Sequence, residues 1–395
     1  MSGSAQPAAS VTAGPTLGWL RVALALMVLN LHYGFFRLLL QPWLERRLGE
    51  LAWVNDGAIA VFGFFSLSGY LVGDMIGGGR YPLANAGDFW RFVLARWARI
   101  YPLYWLVLAV WMATQSWPGW WVALGNVLLW PYGLWSFWYD QQRYGPLFDH
   151  LLLVPAWTLA LDLALYPIGA LLARHHGRWL VLWLTLALLW WAAAAWLAPA
   201  QVGKQAYAWW HFRYWTGAGS GVLAFTLGLA LRRWSGLLPR PAWSGILAVA
   251  VTLWCCYLPV GLGYFSSSLL ATAALAWLVH VLAARGRGAH EAELGNFTYA
   301  LYLVHIPIVA WLGFRLQGLA LPVFATGCSF LLAAILALGV EGPMERLRRR
   351  WARASATPHR QEQQRSWGLP WLAALTAAMA AATLGSIFMA TQWAG

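Results

Sequence analysis

The chain has 395 residues, 61% of them hydrophobic and only 10% charged, with 31 Trp and a mean hydropathy of +0.57. That apolar excess excludes a soluble domain and fits repeated crossings of a hydrocarbon core ~30 Å thick. The net charge of +13 would suit a nucleic-acid binder, but the Lys and Arg lie between apolar segments, so basic membrane-flanking loops are expected instead, with no nucleic-acid partner. Cys255, Cys256 and Cys328 fall inside apolar segments and form neither a disulfide nor a metal pattern.

In chain order, residues 1–16 are small, polar and Pro-containing, and read as a disordered cytoplasmic tail without a cleaved signal peptide. Apolar segments follow at 17–38, 57–77, 98–114, 119–136, 147–173, 178–198, 215–231, 243–260, 264–284, 298–315, 321–341 and 369–391. If all of them crossed, the basic groups at Arg174 and Arg178, at Arg232 to Arg240 and at Arg346 to Arg365 would lie outside, against the positive-inside rule. Segment 119–136 is short and contains Gly125 and Pro131, so it is assigned as re-entrant or interfacial. The expected fold is all-α: a polytopic transmembrane helical bundle of about 10 core spans plus one C-terminal accessory span, each sized by the rise of a membrane helix. The membrane domain covers 17–345, a basic cytoplasmic linker covers 346–368, and the accessory helix covers 369–391. The N-terminus is placed in the cytoplasm.

Ionisable residues inside a span cost at least ~2.5 kcal/mol, so each is a functional hypothesis. Arg21 and His32 lie on one helix, about 16 Å apart along its axis and nearly on one face. They suit an anion site below a base; equally, Arg21 reaches lipid phosphates and His32 bridges two helices. The stretch FFSLSGYL at 64–71 makes a small polar notch around Ser68, or a close helix contact. Arg96 and Arg99, at i and i+3, form either a phosphate clamp or an ordinary basic flank. Asp162 lies inside a span with Trp157, Thr158 and Tyr166 about a turn away, as a functional carboxylate or a structural ion pair. Tyr302 and His305 share a helix face, where a satisfied core histidine is the plainer reading. The aromatic loop 201–215 stacks sugars or forms an interfacial belt.

Taken in order, these elements resemble the acyltransferase-3 family of bacterial membrane acyltransferases, over about residues 17–345. The resemblance is carried by Arg21-x10-His32, FFSLSGYL, Arg96-x-x-Arg99 before Tyr101-Pro102, Trp157-Thr158-Leu159 with Asp162 and Tyr166, Phe225 and Gly228 after Arg213, TYALYLVH with Tyr299, Tyr302 and His305, and Glu341-x-Pro343. Asp162 stands where the family usually has Glu, and Thr158 where it has Ser. The resemblance implies acyl-CoA, usually acetyl-CoA, as donor at the cytoplasmic side of a bacterial inner membrane; from the lack of a metal-ligand pattern no metal is expected. It implies a glycan or lipid-linked saccharide as acceptor, with polysaccharide-assembly proteins as further partners. The catalytic set would be His32, Asp162 and His305, the donor site Arg21, Arg96 and Arg99, and the acceptor site Ser68, Trp157, Thr158, Tyr166 and Tyr302. Direct transfer with His32 as base and a covalent route through acylated His32 both remain open. Two other classes compete: a proton-coupled transporter or flippase of a lipid-linked glycan, and a non-catalytic assembly subunit.

Overall fold

The computed structural model describes residues 16–35, 38–39, 42–43, 46, 56–137, 150–198, 210–211, 214, 218–257, 263–286, 288, 290–354 and 368–392. The expected N-terminal tail and most of the basic linker lie outside the described residues. Their regular structure is helical, with no strand among the described residues.

The helices are α1 (Leu17–Tyr33), α2 (Asp56–Gly77), α3 (Ala86–Met112), α4 (Trp120–Leu128), α5 (Trp130–Trp135), α6 (Ala156–Arg174), α7 (Gly177–Trp196), α8 (Ala218–Arg233), α9 (Ala242–Tyr257), α10 (Tyr264–Ala283), α11 (Glu291–Gly313), α12 (Ala320–Leu336), α13 (Gly342–Ala354) and α14 (Leu369–Gln392). Seven helical stretches are long and apolar enough to cross a membrane, one of them running without a break from α12 through a π-helical turn at Ala337–Glu341 into α13, and α1, α9 and α14 are shorter apolar helices. The chain folds as an all-α polytopic bundle. Helix α3 begins well before the expected apolar segment, so Arg91, Arg96 and Arg99 stand on the helix itself.

Helix α2 is central, packed by α1, α6, α8 and α10. Its contact with α8 is backbone to backbone: a Cβ at Gly69 would fall 2.0 Å from the Phe225 carbonyl oxygen, and one at Gly228 would fall 1.9 Å from that of Ser66. Only glycine permits this approach, which replaces the missing hydrophobic drive between helices in lipid with close packing.

Ends rich in arginine gather on one face. Arg21 at the start of α1 pairs with Glu291 at the start of α11, and Asp74 at the end of α2 pairs with Arg232 at the end of α8. Arg174 at the end of α6 donates to the Leu83 carbonyl just before α3, and Arg240 before α9 donates to His280 near the end of α10. These contacts fix the relative directions of the helices: α1 and α11 run parallel, as do α2 and α8, while α3 opposes α6.

Segment 119–136 enters and returns. Helices α4 and α5 meet at Leu129, whose φ of +56° interrupts the helix. The carbonyls left open there are taken by α3: Tyr104 donates to Asn126 at 2.7 Å, Trp105 to Val127 at 2.8 Å, and Tyr101 to Leu128. Broken backbone is tolerated at membrane depth when protein satisfies it in this way. Asn126 completes the element by donating to Val122 and His150 and accepting from Leu152, each at 2.9 Å.

Helix α14 is docked on α7, where Trp183 donates to Thr376 at 2.8 Å. Helix α13 makes the first part of the basic stretch helical. Of the aromatic loop 201–215, Trp210 is fully buried and donates to Ser268, and Tyr214 packs on Phe265. Both belong to the core; most of that loop lies outside the described residues.

Candidate functional site

Buried polar groups form a file from the basic face to the far end of α1. At the basic end, Arg21 and Arg99 converge on Gly295: a Cβ there would lie 3.6 Å from Arg21 Nη1 and 3.5 Å from Arg99 Nη2. Three carboxylates balance the cluster. Arg21 pairs with Glu291 at 3.2 Å, Arg99 with Glu345 at 3.7 Å, and Arg348 with Glu341 at 3.1 Å and Glu345 at 2.9 Å. Arg96 lies within electrostatic range of Arg99. Its buried Nε has no partner among the described residues, nor have Glu291 Oε2 and Glu341 Oε1. Such unfilled donors and acceptors mark a place where a polar ligand can complete the bonding.

Prolines help to build this end. Pro102 cannot donate to the Ala98 carbonyl one turn back, and Arg348 does so instead at 3.2 Å. Pro167 likewise frees the Leu163 carbonyl, and Trp97 donates to it at 3.3 Å. Helices α3, α6 and α13 are thereby joined through gaps that proline opens.

Above the arginines, Tyr166 lies within electrostatic range of Arg21, Arg96, Arg99 and Asp162. Ser68 stands 3.5 Å from the Tyr166 hydroxyl and beside the Asp162 carboxylate. Asp162 Oδ1 is buried without a partner among the described residues. One residue on, Gly69 is the close contact with α8 described above. The FFSLSGYL stretch thus serves packing on one face and the polar file on another. Trp157 packs its ring on Phe65, 6.3 Å between centroids.

Further along, Tyr302 donates to the Pro155 carbonyl at 2.6 Å, and its oxygen meets the Thr158 hydroxyl at 2.5 Å. The Thr158 hydroxyl also reaches the Pro155 carbonyl, at 3.2 Å, so both hydroxyls close on one acceptor. His305 Nδ1 donates to the Tyr302 carbonyl at 2.6 Å. A carbonyl only accepts, so Nδ1 carries the proton and Nε2 is a free acceptor; it is buried and without a partner among the described residues. The His305 ring faces His32, 5.0 Å between centroids and tilted 47°. His305 is fully buried while His32 is exposed.

The structure therefore brings together Arg21, Arg96 and Arg99 at one end, Ser68, Asp162 and Tyr166 in the middle, and Thr158, Tyr302, His305 and His32 at the other. Asp162 groups with Ser68 and Tyr166, and the residue across from His32 is His305. Sequence reasoning missed Glu291, Glu345 and Arg348, which neutralise the arginines. The signal was present for Arg348: Pro102 inside a helix demands a substitute donor.

Fold and file define a multi-pass helical membrane protein that carries titratable groups through its interior. The chain belongs to the acyltransferase-3 family, whose acyltransferase domain matches residues 15–341, and it is accordingly a membrane acyltransferase. No curated protein and no solved structure matches it significantly.

Proposed function

We propose that the protein moves an acetyl group from acetyl-CoA, presented at the cytoplasmic face of a bacterial inner membrane, to a hydroxyl of a surface or exported glycan. The observation carrying this reading is the polar file that joins a three-arginine cluster to an imidazole pair. The arginine-rich face is the cytoplasmic one by the positive-inside rule, which sets the N-terminus in the cytoplasm. Arg21, Arg96 and Arg99 hold the donor phosphates by charge-assisted bonds. An extended arm of the donor reaches from there toward His32, about 16 Å along α1.

His32, the accessible imidazole of the pair, takes the proton of the acceptor hydroxyl as that oxygen attacks the thioester carbonyl. It returns the proton to the departing CoA thiolate, so the base is regenerated. His305, with its Nδ1 proton committed to Tyr302, offers Nε2 as acceptor to the His32 ring and favours the imidazolium formed in transfer. Ser68, Asp162, Tyr166, Trp157, Thr158 and Tyr302 line the path on which the acceptor binds, with the unpartnered Asp162 oxygen available to a sugar hydroxyl.

The test uses membranes containing the full chain, radiolabelled acetyl-CoA and the lipid-linked saccharides of the host. His32→Ala should lose label transfer by at least about 100-fold at normal protein level, the scale of a lost general base. Wild-type transfer by that variant overturns the assignment of His32. Movement of lipid-linked glycan without CoA would overturn the acetyl-transfer reading in favour of a transporter.

A further inference from the structure

His32 is the penultimate residue of α1, whose final turn closes at Gly34 with φ of +75°. The last turn of a helix lacks part of its intrahelical bonding and loosens first. A base placed there keeps its aim only if something outside the helix holds it. Its neighbour Tyr33 is anchored in that way. The Tyr33 side chain is buried, its hydroxyl 3.2 Å from the His305 carbonyl and 2.5 Å from Ser329 Oγ. Because the carbonyl only accepts, the phenol proton goes to His305 and the Ser329 hydroxyl donates to the phenol oxygen.

A directed chain thus runs from Ser329 on α12 through Tyr33 on α1 to the backbone of His305 on α11. A second pair of hydroxyls, Thr158 and Tyr302, likewise meets over a backbone carbonyl, that of Pro155. His305 is gripped by both tyrosines: Tyr33 bonds its carbonyl, and the Tyr302 carbonyl takes its Nδ1 proton. Ser329 is fully buried on α12, and its hydroxyl has this task.

We propose that Tyr33 and Ser329 are positioning residues for the imidazole pair, setting the separation and tilt of His32 against His305. The proposal rests on the reading of His32 as the base. Removing either hydroxyl leaves the arginine cluster intact and loosens the far end of the file, so turnover falls while donor binding stays.

The experiment measures initial rates of label transfer from radiolabelled acetyl-CoA in membranes holding the full chain, across donor concentrations and normalised to protein amount. Tyr33→Phe and Ser329→Ala should each lower turnover about 10- to 100-fold, the scale of a small misplacement of a reacting group, with the KM for acetyl-CoA unchanged. Ser329→Thr, which keeps the hydroxyl, should recover most of the loss. The double variant should fall no further than Tyr33→Phe, since Ser329 acts only through the phenol. Wild-type turnover in the single variants, additive losses, failure of the Thr rescue, or a raised KM with unchanged turnover would each overturn the proposal. If Tyr33→Phe does not accumulate, the Ala and Thr variants of Ser329 decide alone. Loss of activity in His32→Ala with normal turnover in Tyr33→Phe sinks the positioning role and leaves the base in place; retained activity in His32→Ala sinks the base itself.

Discussion

Arg99 and Glu345 form an ion pair 3.7 Å long at the basic end of the polar file, both partly exposed. Glu345 also binds Arg348, which in turn holds buried Glu341 and the Ala98 carbonyl. A carboxylate so placed competes with any anionic donor for Arg99. Glu345→Gln is expected to lower the KM for acetyl-CoA severalfold, by removing the competing charge. Arg99→Ala should raise it about 10- to 100-fold, the equivalent of a lost charge-assisted bond. Steady-state kinetics over a range of donor concentrations check both, and equal KM values in wild type and Arg99→Ala would count against a phosphate site there.

The α2 and α8 contact predicts an asymmetry among glycines. Gly228→Ala places a Cβ against the Ser66 carbonyl, and Gly69→Ala does the same against Phe225, so each should destabilise by about 1–3 kcal/mol or more through forced separation of the helices. Gly327 on α12 has open space where its Cβ would go. Gly327→Ala should be neutral or stabilise by up to about 1 kcal/mol through helix propensity. Thermal unfolding in detergent distinguishes the two groups, and a Gly228→Ala protein as stable as wild type would show that α2 and α8 can separate freely.

Asn126 holds the re-entrant element by three side-chain hydrogen bonds. Asn126→Leu keeps much of the volume and loses all three, leaving the His150 carbonyl and the Leu152 amide without them. The expected loss is about 1–3 kcal/mol of stability. The loss should come with faster proteolysis of the segment joining α3 to α6, which limited digestion in membranes measures.

Topology can be read with single-cysteine reporters in a background lacking Cys255, Cys256 and Cys328. Gln115, after α3, and Arg285, after α10, are both exposed and lie at opposite ends of the bundle. Gln115→Cys should react with an impermeant maleimide from outside the cell, and Arg285→Cys only after the membrane is opened. The reverse pattern would invert the proposed orientation.

How much of this was legible in the chain differs by level. Hydropathy and charge placement alone define the membrane bundle and single out 119–136 as irregular, because the cost of moving a residue from water to lipid is nearly additive along a segment. The rotation of one helix is also readable, and it puts Arg21 and His32 on a common face. Which helices meet is another matter. That His305 is the ring opposite His32, that Asp162 keeps company with Ser68 and Tyr166, that Glu291 and Glu345 neutralise the arginines, and that Ser329 reaches Tyr33 all depend on contacts between distant segments. Trp210 and Tyr214 lie in a loop that reads in the sequence as either a sugar-stacking surface or an interfacial belt, and both are packed in the core. Composition reports what a residue costs in lipid; only the packing of backbones, as close as Gly69 against Phe225, decides which partner offsets that cost.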